Sequence, residues 1–193
     1  MAKPAGSACN LDCAYCFYLS KRVLPGGPGS GHMPDDVLER FVKDYIDSIT
    51  ADEVVFSWQG GEPTLLGLGF FEKVVALQKK HARAGQRIEN DLQTNGTLLD
   101  DDWARFLKQQ RFLVGLSIDG PREIHDHCRI TKHAEPTFDQ VFAAAKMLQK
   151  HGVRFNTLTC VHRYNASRPL DVYRFLRREI GSTYIQFIPI VEI

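Results

Sequence analysis

Strand-like and helix-like segments alternate along almost the whole chain, and that order leaves few folds open. Residues 34–50 predict a helix, with Val37, Leu38, Phe41, Val42, Tyr45, Ile46 and Ile49 at helical spacing. Residues 53–58 predict a short apolar strand, stopped by Gln59-Gly60-Gly61-Glu62-Pro63. A helix is expected over 69–82, a strand over 87–94 and a helix over 100–110 with Asp100 as its N-cap. Residues 112–118 are strand-like and close on Asp119-Gly120-Pro121. A helix over 137–151 should stop at Gly152, followed by a strand over 154–161, a helix over 169–178 and a strand over 184–190. The run Ile185-Gln186-Phe187-Ile188 in that last strand is expected to be buried. Such alternation gives a parallel sheet with helices outside it, joined by right-handed crossovers. With a first strand at 3–7 there are six β/α units, the last lacking its helix. Eight would close a barrel; six leave an open, curved one. The expected class is therefore α/β, a partial (β/α)6 TIM-like barrel, as one domain over 1–193.

Size and charge narrow the function. A chain of 193 residues can bury one sizeable core but hardly two. Its net charge of +1 offers no basic excess to neutralise phosphates, so no nucleic acid is expected. The expected partner is a small molecule or a peptide. No apolar run approaches the roughly 20 residues of a membrane helix. The first residues carry no apolar stretch of signal-peptide length, so a cytoplasmic protein is expected, with no membrane. The segment Pro25-Gly26-Gly27-Pro28-Gly29-Ser30-Gly31 reads as a flexible loop.

The polar, Gly-rich motifs all follow strands: Cys9 to Cys16, Gly60 to Pro63, Thr94 to Gly96 and Ser117 to Pro121. In a parallel sheet they gather at the carboxyl edge, where such proteins bind ligands. Of the five cysteines, Cys9, Cys13 and Cys16 fall within eight residues, spaced C-x3-C-x2-C. An odd count argues against a disulfide framework. Three thiolates could hold three irons of a four-iron cube and leave the fourth open for a chelating substrate. Zinc with a further ligand, a four-cysteine cluster, or three buried side chains on one helix face remain open readings. Cys128 and Cys160 read as structural. His125 and His127 beside Cys128 are a weak metal signal.

With Tyr15 before its last cysteine, the cluster resembles the signature of the radical S-adenosylmethionine (SAM) superfamily. Lys3-Pro4, Cys9-Asn10-Leu11, Tyr15-Cys16-Phe17-Tyr18-Leu19, Trp58-Gln59-Gly60-Gly61-Glu62-Pro63, Gln93-Thr94-Asn95-Gly96, Gly115-Leu116-Ser117-Ile118-Asp119-Gly120-Pro121 and Gln186-Phe187-Ile188-Pro189 resemble, in order, the anaerobic sulfatase-maturating enzymes. The resemblance covers almost the whole chain. It implies Cys9, Cys13 and Cys16 as ligands of a [4Fe-4S] cluster that cleaves S-adenosylmethionine to a 5′-deoxyadenosyl radical. It implies Gly60, Gly61, Glu62 and Pro63 at the methionine amino group, and Ser117 and Arg129 at the cofactor carboxylate or ribose. Asp119 ends the same strand and is expected with them in the cofactor site; read without the resemblance, Ser117 and Asp119 are turn residues beside a surface Arg129. Gln93 and Asn95 would line the site, and Tyr15 would stack near the adenine. Tyr18 and Gln59 are implied as catalytic positions facing a sulfatase-like peptide. A reducing donor such as flavodoxin or ferredoxin is also implied.

The reaction implied is oxidation of a Cys or Ser to formylglycine. Another radical peptide-modifying maturase, or a non-catalytic iron–sulfur or zinc module, remain alternatives. Members of that family continue for about as long again, with auxiliary clusters in their second half. The chain stops after Ile188, Ile190, Val191 and Ile193 with no following helix, and is expected to be a fragment.

Overall fold

The computed structural model describes residues 1–18 and 32–190; the loop expected at 25–31 lies outside them, as do residues 191–193. Helix α1 (Asp35–Ser48) leads into β1 (Glu53–Trp58), and α2 (Leu68–His81) into β2 (Arg87–Thr94). Then follow α3 (Asp101–Gln109), β3 (Leu113–Ser117), α4 (Arg122–Cys128), α5 (Phe138–Lys150) and β4 (Arg154–Val161). Short α6 (Arg163–Ala166) and α7 (Pro169–Arg174) precede β5 (Ile185–Pro189). The five strands pair in chain order, every pair parallel, and curl into a half-barrel.

Strand periodicity decides which face is buried. Val54, Phe56 and Trp58 alternate inward in β1, against α1 and α2. The α1 stripe is Leu38, Val42 and Ile46, four residues apart, while Val37 stays 46% exposed. Trp58 is the hub. Its ring meets Phe41, Phe70 and Phe71 edge-on, and its Nε1–H donates to Asn90 Oδ1 at 2.8 Å. Asn90 in turn pairs with Gln78, so no polar group of this trio is left unbonded in the core. Each such large side chain contributes about 1.5–3 kcal/mol by burial. Asp100 caps α3 by accepting from Trp103 N–H at 2.9 Å, and Gly152 ends α5 with φ +65°.

Paired residues share a face. Trp58, Leu92 and Val114 are paired in register and buried towards the helices. The alternate set therefore lines the concave side: Ser57, Asp91, Gln93, Gly115 and Asn156. A Cβ on Gly115 would meet Leu158 Cδ1 at 2.9 Å, which is why the middle of this face has no side chain.

Three expectations change. The first strand shrinks to one parallel bridge, Ala2 to Trp58, because residues 4–7 turn away. Helix α7 passes at Phe175 into a π turn, Phe175–Glu179. The run at Ile185 is not buried: β5 is the sheet's edge, paired only with β4, and Phe187 is 47% exposed.

Candidate functional site

Residues 9–16 form a loop over the carboxyl rim, held from three sides. On one side Gly61 N–H donates to Gly6 O at 2.9 Å and Glu62 N–H to Ala8 O at 2.8 Å. Gly60 has φ +126°, a backbone region that side chains avoid. On a second side Asp12 N–H donates to Ile130 O and Ala14 N–H to Cys128 O, both at 2.9 Å. On the third, Asn95 Nδ2 donates to Asn10 Oδ1 at 2.9 Å and Asn10 Nδ2 to Thr97 Oγ1 at 2.8 Å. Thr97 closes the ring onto Asn95 Oδ1.

The three thiols of this loop are half-buried. Burial pushes the Cys9 thiol up, and the Cys13 thiol up to about 12. Arg129 pulls Cys13 down, while Cys9 and Cys16 raise it further, so the three sulfurs sit in one another's field. Unligated, Cys9 and Cys13 are neutral thiols. A bound metal reverses that, because its charge deprotonates a coordinating thiol. Among the described residues no three His, Cys, Asp or Glu are arranged to hold a metal ion. Thiolates of a four-iron cube bind different irons and need not meet at one point. As a donor set, three sulfurs on one loop fit such a group.

Glu62 is fully buried. Oε1 accepts from Thr64 N–H, Thr64 Oγ1 and Thr94 Oγ1 at 3.0, 2.6 and 2.8 Å, and Oε2 from Asn95 N–H at 2.7 Å. Burial raises its carboxyl above the usual carboxylate range, and these donors undo only part of the rise. Pro63 opens a 3-10 turn, Pro63–Leu66, of which Pro63 and Thr64 are buried. Gln93 and Ser117 are half-buried on the concave side. Gln59 N–H donates to Ala2 O, and Tyr18 has Lys3 Nζ 5.3 Å from its ring, so both border the first residues of the chain.

Arg129 is not a surface residue. It is 6% exposed and holds the fully buried Asp119 with Nε and Nη2 at 2.9 and 3.2 Å. The same carboxylate accepts from the Tyr15 hydroxyl and from Cys160 N–H. His162 stacks on Tyr15 at 5.6 Å, its Nδ1 is 3.9 Å from Cys128 Sγ, and a cavity of about 450 Å³ opens beside them. A cavity of about 680 Å³, lined by Leu113, Arg154 and Tyr184, lies at the amino end of the strands, away from these residues.

The two histidines near Cys128 part company. His127 stacks on Tyr164 at 4.0 Å. His125 is fully buried, its Nδ1 accepting from Asp119 N–H and its Nε2 facing Thr137 Oγ1. Thr137 spends its own proton on Arg129 O, which assigns the His125 proton to Nε2. Burial, then the Arg129 charge, lowers its pKa to about 3. The unfolded chain takes up that proton near the ordinary histidine value of 6.5, so the stability is complete above that pH. It should fall by at most about 1.4 kcal/mol per pH unit as pH drops towards 3. Urea midpoints from pH 7 to 4, compared with His125→Gln, check this; equal slopes would sink it.

Thr97, Cys160 and His162 carry no motif of their own; Asn10 lies inside the Cys9-Asn10-Leu11 segment, but the resemblance implies no role for it, and Thr97 merely adjoins Asn95-Gly96.

The Radical SAM superfamily model matches residues 4–176. The serine-type anaerobic sulfatase-maturating enzyme of Bacteroides thetaiotaomicron is 47% identical over 192 residues, covering 100% of this chain and 46% of that protein. The cysteine-type enzyme of Clostridium perfringens is 46% identical over 97% of this chain and 50% of its own length. The chain thus spans about half the length of these relatives. The solved structure described as native anSMEcpe with bound AdoMet and Kp18Cys peptide superposes with a TM-score of 0.90 at 45% identity, over 98% of this chain and 50% of that one. Streptococcus suis SuiB, at 16% identity and a TM-score of 0.72, shares the fold.

Proposed function

The chain belongs to the radical SAM superfamily, and we propose that residues 1–193 are one domain that binds a [4Fe-4S] cluster through Cys9, Cys13 and Cys16 and cleaves S-adenosylmethionine beside it. One observation carries this reading: the three thiols lie on a single loop clamped onto the carboxyl rim of a parallel half-barrel. When bound and reduced, the cluster supplies the electron that splits the sulfonium bond and yields a 5′-deoxyadenosyl radical.

The chain's own groups position and recognise. Gly60 and Gly61 bring backbone to the rim, where carbonyls can accept from the methionine ammonium. Glu62 works inward, because four donors of the fold already occupy its oxygens. Gln93 and Ser117 offer polar contacts along the concave face, and Asn95 does so beside Cys9. Tyr18 and Gln59 flank the entry for a substrate peptide. The serine-type and cysteine-type sulfatase-maturating relatives suggest a sulfatase Cys or Ser as the target, oxidised to formylglycine. Serine-type and cysteine-type relatives match almost equally, so the chain leaves the choice of residue open. A small reducing protein such as flavodoxin or ferredoxin would supply electrons, and the setting we propose is cytoplasmic.

The test is anaerobic loading with iron and sulfide, then dithionite and S-adenosylmethionine, with 5′-deoxyadenosine measured by chromatography. The parent chain should turn brown and form deoxyadenosine. Cys13→Ala should lower the yield at least about a hundredfold, since a cluster missing one of three protein ligands is not held in register. A parent chain that binds no iron would overturn the reading.

A further inference from the structure

The cysteine loop needs a fixed shape, and most of it has no regular secondary structure to provide one. Tyr15 lies between Cys13 and Cys16, so whatever fixes Tyr15 fixes that span. Its hydroxyl donates to Asp119, the Arg129 guanidinium lies 5.5 Å from its ring centre, and His162 stacks on it. Asp119 is fully buried at the end of β3 and receives Tyr15, both arms of Arg129 and Cys160 N–H. Arg129 follows α4, and the residues either side of it, Cys128 and Ile130, accept the loop's amides from Ala14 and Asp12. The Arg129 carbonyl is itself pinned by Thr137 Oγ1 at 2.7 Å.

A buried ion pair is a poor source of net stability, because the desolvation of two charges largely offsets their attraction. A staple between β3 and α4 would need Asp119 and Arg129 alone. The added hydroxyl comes from inside the cysteine motif. We propose that Asp119, aligned by Arg129, is a positioning residue that holds the Cys13–Cys16 span in its ligating shape through the Tyr15 hydroxyl. The inference rests on the preceding reading that these thiols hold a cluster. It gives Arg129 an internal task in place of cofactor contact.

Tyr15→Phe removes the one hydroxyl and keeps the ring. Iron-free Tyr15→Phe should melt within a few degrees of the parent, while amide exchange at residues 12–16 quickens about tenfold, the size of one charge-assisted hydrogen bond. After loading, the mutant cluster should bleach to a chelator about tenfold faster, and the electron paramagnetic resonance line shape of the reduced cluster should change. Asp119→Asn should move the same readouts further and also lower Tm. If Tyr15→Phe exchanges and bleaches like the parent, the clamp is overturned. If the parent itself takes up no iron, the cluster reading falls, and amide exchange alone then decides: quickened exchange upholds the clamp and unchanged exchange overturns it.

Discussion

Gly61→Ala should cost about 3 kcal/mol and leave the cysteine loop unable to retain iron, the upper end of what overpacking does to a folded chain. A Cβ at this position would stand 2.0 Å from Ala8 O, 2.6 Å from Ala8 C and 2.7 Å from Ser7 C. All three are backbone atoms, so no rotamer change relieves the contact. The close approach is itself enforced, because Gly61 N–H bonds Gly6 O and Glu62 N–H bonds Ala8 O. Relief must come from moving residues 7 and 8, and Cys9 follows directly. The expected result is therefore double: a lower urea midpoint, and less iron per chain under conditions where the mutant is still folded. Gly69→Ala is the control. It lies in the first turn of α2 with open space around its Cβ, and alanine there should stabilise by about 0.5–1 kcal/mol. An unaltered midpoint for Gly61→Ala would show that residues 6–8 yield easily and that the glycine is not needed for packing.

How far the sequence foretold this molecule depends on how local the cause is. Three strands, 53–58, 87–94 and 154–161, agree with the structure at both ends, and the first two were closed by local breakers, Gly60-Gly61 and Asn95-Gly96. Asp100 and Gly152 acted as cap and stop because capping involves only neighbours. Helix α4 escaped: seven residues are too few to show a periodic stripe, and Pro121 before it looked like turn chemistry. Everything that depends on α4 escaped with it. Without that helix Arg129 reads as a surface residue, and nothing in the spacing of Tyr15, Asp119 and Arg129 says that they meet. Asp119 and Arg129 are ten residues apart and Tyr15 lies 104 residues from Asp119, so only the completed fold joins them. The buried reading of β5 failed for a related reason. An apolar run does not reveal whether its strand is central or at an edge; the sheet order does.

Glu62→Ala should be the most damaging polar substitution in the site, at about 3–5 kcal/mol, since each buried donor left unmet costs about 1–3 kcal/mol. Two of the donors are backbone amides, Thr64 N–H and Asn95 N–H, which cannot rotate towards another acceptor. The other two are the Thr64 and Thr94 hydroxyls, which can. Glu62→Gln separates shape from charge. Its carbonyl can keep the three donors on the Oε1 side, but its amide then faces Asn95 N–H, donor against donor. About half the loss is expected there, roughly 1.5–3 kcal/mol, and it should fall on the segment that carries Asn95 to Asn10 and Cys9. Denaturation midpoints for the pair, with equilibrium binding of S-adenosylmethionine to the loaded chain, distinguish two roles for this carboxylate. A graded loss of stability, alanine worse than glutamine, with cofactor affinity falling in step, places Glu62 inside the scaffold. If Glu62→Gln keeps its midpoint yet loses cofactor binding, the carboxylate meets the ammonium directly, and its four internal donors merely aim it.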